Sequence, residues 1–229
     1  MKRFAVIVAG GSGTRMGAPI AKQYLSIGEK PVLMHTLMRF YETDTSISII
    51  LVLPPRDHDF WKKLCEEKGF LIEHKLVSGG ESRFQSVKNG LDVISEAEGL
   101  VAIHDGVRPI VTQEIIENSY QQARKSGSGI VVVPLKDSIR KIEPDGVSKF
   151  ENRDLYRLVQ TPQTFQLGKI KEAFKVEEST AFTDDATVYE YQGWPVSLVE
   201  GDPSNIKITT PEDLDFAEYI LTKRKLFTE

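Results

Sequence analysis

Four short runs of aliphatic, largely β-branched residues, each followed by an amphipathic stretch, constrain this chain more than any other feature. They lie at 4–9 (FAVIVA), 47–53 (ISIILVL), 100–104 (LVAIH) and 130–134 (IVVVP). None alternates cleanly between apolar and polar residues, so none reads as a strand with one wet face. Near-continuous apolar runs are what parallel strands covered by helices on both sides require. The stretches between them read as helices over Val32 to Tyr41, His58 to Lys68, Glu81 to Ser95 and Gln113 to Lys125. In the third, Phe84, Val87, Leu91 and Ile94 recur at helical spacing and form one apolar stripe. This βαβα rhythm predicts a three-layer α/β fold of Rossmann-like type, with a mostly parallel sheet and right-handed crossovers. A length of 229 residues suits one domain spanning 1–229, and no repeat or low-complexity linker divides it.

The rhythm breaks after Pro134. From Ser138 to Phe150 the apolar points Ile139, Ile142, Val147 and Phe150 surround Pro144-Asp145-Gly146, a turn signal between two β-like arms. So short a hairpin cannot bury its own apolar side chains, and it must lie against the body or reach a second subunit. α/β character then returns, with strands expected at 195–199 and 205–208. A last helix opens at Thr210-Pro211-Glu212-Asp213, where an N-cap hydroxyl, a first-turn proline and two acids coincide. Leu214, Ala217 and Leu221 give it a buried face.

A glycine-rich loop, AGGSGTRMG at 9–17, directly follows the first strand. Glycines let the backbone approach a ligand closely, and successive N–H groups can cradle phosphate oxygens. The spacing excludes a dinucleotide fingerprint, since the last glycine position counted from Gly11 is Met16, and no glycine in this loop is followed by a lysine as a P-loop needs. Arg15 and Lys22 instead flank the loop with positive charge. The bland alternative is a tight strand-to-helix turn with solvated cations. The third strand ends in Asp105-Gly106-Val107-Arg108-Pro109, at the carboxyl edge where ligands of parallel sheets bind. Asp105 there is either a turn former or a carboxylate for Mg2+, which prefers hard oxygen ligands. His104 reads as a structural neighbour of this turn, and the four scattered histidines offer no zinc spacing.

Charge and cysteine usage limit the partners. A formal net charge of -4 argues against general nucleic-acid binding. The single cysteine, Cys65, cannot form an internal disulfide and suits a reducing compartment, where it reads as a buried filler. The apolar run after Met1-Lys2-Arg3 is too short for a signal peptide and breaks into glycines, and no run reaches membrane-spanning length. The expected location is cytoplasmic, without membrane association.

Eight blocks in order resemble one family. They are AGGSGTRMG (9–17), KQY (22–24), GGESRFQSV (79–87), HDGVRP (104–109), Arg153, QTPQ (160–163), TDDA (183–186) and NIKITTPEDL (205–214). This set is similar to the 2-C-methyl-D-erythritol 4-phosphate cytidylyltransferase family, CTP-using enzymes of the non-mevalonate isoprenoid pathway, from about residue 3 to about residue 222. The resemblance implies the nucleotidyltransferase version of the fold and a homodimer. A β-arm at about 137–163 would reach from each subunit over the other's site. Ala9, Gly10, Gly11 and Gly13 would line the triphosphate and base pocket, with Arg15 and Lys22 stabilising the transition state. Gly80, Glu81 and Ser86 would meet the cytosine, Asp105 the metal and ribose, and Lys207 the phosphates of CTP and acceptor. Arg108, Thr183 and Asp105 would serve the acceptor, joined from the partner's arm by Ser138, Arg153 and Thr161. Three positions depart from the usual pattern: Ala21 stands where proline is common, Gly106-Val107 where two alanines are, and Ser138 where threonine is.

The chemistry implied is attack of the acceptor phosphate on the α-phosphorus of CTP, with pyrophosphate leaving. Both reactants are anions, so positioning and charge stabilisation carry the catalysis. Alternatives are a ribitol 5-phosphate cytidylyltransferase and a non-catalytic nucleotide-sensing module on the same fold.

Overall fold

The computed structural model describes residues 1–10 and 20–226, with side chains as far as residue 223. Among these residues the chain runs β1 (Arg3–Val8), β2 (Ser26–Ile27), β3 (Lys30–Pro31), α1 (Val32–Thr43), β4 (Ser48–Leu53) and α2 (His58–Glu67). It continues through β5 (Lys75–Ser78), α3 (Arg83–Asp92), β6 (Leu100–Asp105), α4 (Gln113–Ser126) and β7 (Ser128–Pro134). After the hairpin β8 (Ile139–Ile142) and β9 (Ser148–Glu151) come β10 (Arg157–Gln166), α5 (Leu167–Ala173), α6 (Asp185–Glu190), β11 (Leu198–Glu200) and α7 (Pro211–Leu226).

Seven strands form the main sheet in the order β11-β7-β10-β6-β1-β4-β5. All its pairings are parallel except those of β10, which runs antiparallel to both β6 and β7. Strand side chains alternate between two cores, as the pleat dictates. Ala5, Ile7, Ile49, Leu51 and Leu53 join the core under α1, α2 and α4, with Leu37, Phe40, Trp61 and Ile116. Phe4, Val6, Ile50 and Val52 join the core under α3, α5 and α6, with Val87, Leu91, Ile170 and Tyr189. Helices therefore cover both faces, and the three-layer, mostly parallel arrangement stands.

Local chemistry explains several element ends. Ser82 caps α3, its hydroxyl accepting from the Gln85 N–H at 3.0 Å, and Thr112 caps α4 in the same way at 3.2 Å. Gly127 ends α4 at φ 97°, a left-handed conformation that side chains rarely adopt. The start of α7 is held reciprocally: Asp213 accepts from the Thr209 and Thr210 N–H groups, and its own N–H reaches the Thr210 hydroxyl.

The structure differs from the sequence reading in three places. The arm expected over about 137–163 is shorter: its two strands close by Glu151, and residues 157–166 are β10, inside the main sheet. The strand expected at 205–208 is an irregular segment, docked by the Ile208 N–H on the Val107 carbonyl at 2.9 Å. The Asn205 side chain there bonds the Thr161 carbonyl instead of extending a ladder. Strands β2, β3, β5 and β10, and the short helices α5 and α6, are not among the elements the sequence predicts. Polar residues and Pro162 conceal β10, whose pairing shifts register between Val159 and Gln163.

Helix α4 packs on β7 so closely that a Cβ added to Gly129 would lie 2.5 Å from the Ser119 carbonyl oxygen. Backbone cannot swing aside as a flexible side chain does. Gly129→Ala should therefore lower stability by about 1–3 kcal/mol, the usual cost of overpacking. A urea midpoint equal to or above wild type would show that the helix yields freely.

Candidate active site

The parallel register brings the carboxyl ends of β1 and β6 level, with Val8 opposite Asp105, and sets Val8 opposite Val52 of β4. Beyond those ends lies a cleft of about 310 Å3, lined by Ala9, Gly10, Lys22, Gly80, Glu81, Ser86, Asp105 and Lys207 among others. Eight sequence-predicted positions thus meet at one place. Gly11, Gly13 and Arg15 lie outside the described residues.

The entry to the glycine loop is braced from two sides. The Ala9 N–H donates to the Val52 carbonyl at 3.0 Å, and the Ala9 carbonyl accepts from Gln23 Nε2 at 3.1 Å. Gln23 is buried, and its neighbour Tyr24 packs edge-on to Phe60 while its hydroxyl donates to Asp57 at 3.0 Å. These two side chains anchor the 3-10 turn at Lys22–Tyr24, which sets the lysine on the cleft wall. Opposite, Ser86 Oγ accepts from the Gly80 N–H at 3.1 Å. A Cβ on Gly80 would stand 2.4 Å from Gln85 Cβ, so this loop can approach α3 only without a side chain.

Asp105, at the tip of β6, is only 7% exposed. Its Oδ2 accepts from Arg108 Nε at 3.1 Å and lies 3.3 Å from Lys207 Nζ, while Arg83 Nε stands 3.8 Å from Oδ1. Burial alone would raise this carboxyl, but Lys207, Arg83 and Arg108 outweigh it and hold Asp105 well below the usual carboxylate range. Arg108 also donates to the Asn205 carbonyl at 2.8 Å. Asn205 in turn donates to Gln160 Oε1 and to the Thr161 carbonyl, which fixes the loop that presents Lys207.

A second cleft, also of about 310 Å3, lies beside the first. Arg108, Gln160, Thr161, Gln163 and Thr183 line it, and Arg83, Asp105 and Lys207 line both clefts. Thr161, expected on a partner's arm, is instead buried in β10 of its own chain. Ser138 and Arg153 do lie on the arm side, both exposed, with Arg153 donating to the Lys136 carbonyl; neither lines either cleft of its own chain.

His104 is fully buried and its tautomer follows from its partners. The Arg108 carbonyl can only accept, so Nε2 carries the proton across 3.1 Å. Nδ1 then accepts from the Thr161 hydroxyl at 3.0 Å, and the same hydroxyl oxygen accepts from the Asp105 N–H at 3.1 Å. His104 is a fixed brace beneath Asp105, with no lone pair left to serve as a base.

Sequence reasoning assigned no role to Arg83, Asp185, Gln23, Gln163 or Asn205. One signal was present: Arg83 follows the N-cap Ser82 directly, and a cation in a helix's first turn opposes the helix dipole. Its carboxylate partner is Asp185, held by two bonds of 2.8 and 2.6 Å. The two buried glutamines carry no such mark.

The family model for 2-C-methyl-D-erythritol 4-phosphate cytidylyltransferase matches residues 4–223. A protein of that name from Bacteroides thetaiotaomicron is 50% identical over 221 residues, covering 96% of this chain and all of the relative. One from Porphyromonas gingivalis is 45% identical, covering 96% of this chain and 98% of the relative. Among solved structures, 4-diphosphocytidyl-2C-methyl-D-erythritol synthase from Anaerococcus prevotii superposes with a TM-score of 0.81 at 31% identity, over 96% of this chain and 99% of that one. The 2-C-methyl-D-erythritol 4-phosphate cytidylyltransferase of Thermus thermophilus gives 0.75 at 29% identity, over 96% and 98%.

Burial pushes the His104 imidazole down from 6.5 to about 4. The unfolded chain takes up this proton near 6.5 and the fold only near 4. The contribution to stability is therefore complete above 6.5 and is lost as pH falls toward 4. Replacing the ring by His104→Gln should remove that component from the pH dependence of the urea midpoint. Parallel curves for the two proteins across this window would contradict a neutral, buried His104.

Proposed function

Since the chain belongs to the 2-C-methyl-D-erythritol 4-phosphate cytidylyltransferase family, we propose that it transfers the cytidylyl group of CTP to 2-C-methyl-D-erythritol 4-phosphate. The products are 4-diphosphocytidyl-2-C-methyl-D-erythritol and pyrophosphate. The observation that carries the reading is the pair of clefts sharing one wall of Arg83, Asp105 and Lys207. CTP takes the cleft beside Ala9 and Gly10, and the acceptor takes the cleft beside Thr161 and Thr183. Their phosphates then meet at the shared wall.

There an acceptor phosphate oxygen attacks the α-phosphorus in line, a new P–O bond forms, and the bond to the β-phosphate breaks. The attacking oxygen is already deprotonated at neutral pH, so no base is needed, which agrees with the locked state of His104. Lys22 and Lys207 oppose the charge that builds on the transferring phosphate, together with Arg15 from the loop. Near the base, Glu81 and the Ser86 hydroxyl, which keeps its own proton to donate, distinguish cytosine from uracil.

Asp105 fits a magnesium ion. Among the described residues its Oδ1 accepts no hydrogen bond and no group of three acidic, histidine or cysteine side chains gathers there, so Asp105 would hold the ion with phosphates and waters as its other partners. Bound, the ion supplies further neutralisation of the triphosphate. A cytoplasmic location belongs to the same reading: burial pushes the half-buried Cys65 thiol up to about 11, which suits a reduced, inert cysteine. No described helix is long and apolar enough to cross a membrane.

The arm supports a homodimer. Ile142 is 65% exposed, Phe150 72% and Leu155 79%, an apolar strip that its own chain leaves uncovered. A second copy covers it and receives Ser138 and Arg153 over its acceptor cleft.

Pyrophosphate release with a panel of substrates tests the reaction. CTP should exceed UTP in kcat/KM by about 10²-fold or more, because a pocket built on hydrogen bonds rejects a mismatched base. Among acceptors, 2-C-methyl-D-erythritol 4-phosphate should lead. Preference for ribitol 5-phosphate would reassign the acceptor, and absence of CTP-dependent release would leave only nucleotide sensing.

Subunit mixing tests the arm. Lys22→Ala should lower turnover about 10²–10³-fold while CTP still binds. Arg153→Ala should weaken acceptor binding. If each site draws Lys22 from one chain and Arg153 from the other, mixed dimers contain one intact site and activity returns. No recovery after verified subunit exchange would overturn an arm that acts on the partner's site.

A further inference from the structure

We infer that Arg83 is a positioning residue for the acceptor, acting through a two-pronged bond to Asp185 that ties the acceptor side of the site to the nucleotide side. The inference rests on the assignment of the two clefts proposed above. Arg83 opens α3, immediately after the loop that carries Gly80 and Glu81 on the nucleotide side. Its guanidinium crosses to α6, where Nη1 and Nη2 donate to the two oxygens of Asp185 at 2.8 and 2.6 Å. Nε of the same group stands 3.8 Å from Asp105 Oδ1. One planar cation therefore addresses two carboxylates on different segments.

Asp185 is completely buried, so its charge depends on this partner. Burial raises the Asp185 carboxyl above its usual range, and Arg83 pulls it back only in part. Burial opposes the charge on Arg83, but Asp185 and then Asp105 favour it more strongly and raise it further.

The segment fastened in this way contains the acceptor-side residues. Asp184 caps α6, accepting from the Thr187 N–H at 2.9 Å. From β10, Gln163 donates to Asp184 Oδ2 at 2.9 Å and accepts from the Ala186 N–H at 2.8 Å. Thr183 and Asp184, the two residues before Asp185, line the acceptor cleft. Gln163 holds this segment to the sheet, while Arg83 sets its position relative to Asp105 and the nucleotide loop. A lysine at 83 would keep a positive charge but could not make two parallel bonds to one carboxylate.

The test compares Arg83→Lys and Asp185→Asn with the wild type. Wild-type CTP-dependent pyrophosphate release comes first, and its absence would remove the functional reading on which the inference rests. With that activity in place, both variants should raise the KM for the acceptor about tenfold, the loss expected of one charge-assisted hydrogen bond. The KM for CTP should stay within about threefold, because the glycine loop and Lys22 are untouched. Amide hydrogen exchange, which needs no activity, should show lost protection in α6 and unchanged protection in β1 and β6. An equal rise in both KM values would overturn the proposal. So would an unchanged acceptor KM, with or without loosening of α6.

Discussion

The site depends on one buried carboxylate. Asp105 sits at the end of the central strand β6, where withdrawal from water penalises its charge, yet three cations hold it ionised. Each cation comes from a different stretch of chain: Arg83 from the start of α3, Arg108 from the turn after β6, and Lys207 from the segment before α7. Removing a charge from water is costly unless it is well paired, so Asp105 requires these three segments to converge. Their convergence makes the wall common to both clefts. A boundary with more cations than carboxylates, its Asp105 already compensated, suits the meeting of two phosphate-bearing reactants.

Strand β10 holds that arrangement from behind. Running against its parallel neighbours, it commits three polar side chains beside the site to different segments, while a fourth, Thr164, bonds Ser119 of α4. Gln160 bonds the Asp202 carbonyl and Asn205, Thr161 bonds His104 and the Asp105 N–H, and Gln163 bonds Asp184 and Ala186. Buried polar groups of this kind are costly when unpaired and rigid when satisfied. They explain why a QTPQ stretch occurs inside a sheet that is otherwise strongly apolar. The cleft beside Gly10 has a similar brace in Gln23, which ties the Lys22 turn to the carbonyl of Ala9.

Much of the frame was legible in the residues. The four apolar runs became β1, β4, β6 and β7 to within two residues at each end, since a strand buried on both faces leaves an unbroken apolar signature. The Pro144-Asp145-Gly146 signal became the turn between β8 and β9, with Gly146 at φ 83°. The hairpin's far boundary was misjudged because β10 begins soon after it, and its first residues are as exposed as the arm. Ala9, Gly10, Lys22, Gly80, Glu81, Ser86, Asp105 and Lys207 were selected from motifs and do line one cleft.

Sequence by itself therefore determined the layer order of the fold, the edge of the sheet at which the clefts lie, and most of the residues that line the first of them. Periodicity and glycine spacing are local properties, and neighbouring residues suffice to express them. Only the tertiary structure decided that Thr161 belongs to its own chain's cleft, that Arg83 pairs with Asp185, and that His104 is neutral with its proton on Nε2. Each of these depends at least in part on a partner far along the chain, as with His104 and Thr161 at a separation of 57 residues and Arg83 and Asp185 at 102. A lone arginine, threonine or histidine looks the same in sequence whatever it meets. Burial and the geometry of its partners assign its charge, its proton and its task.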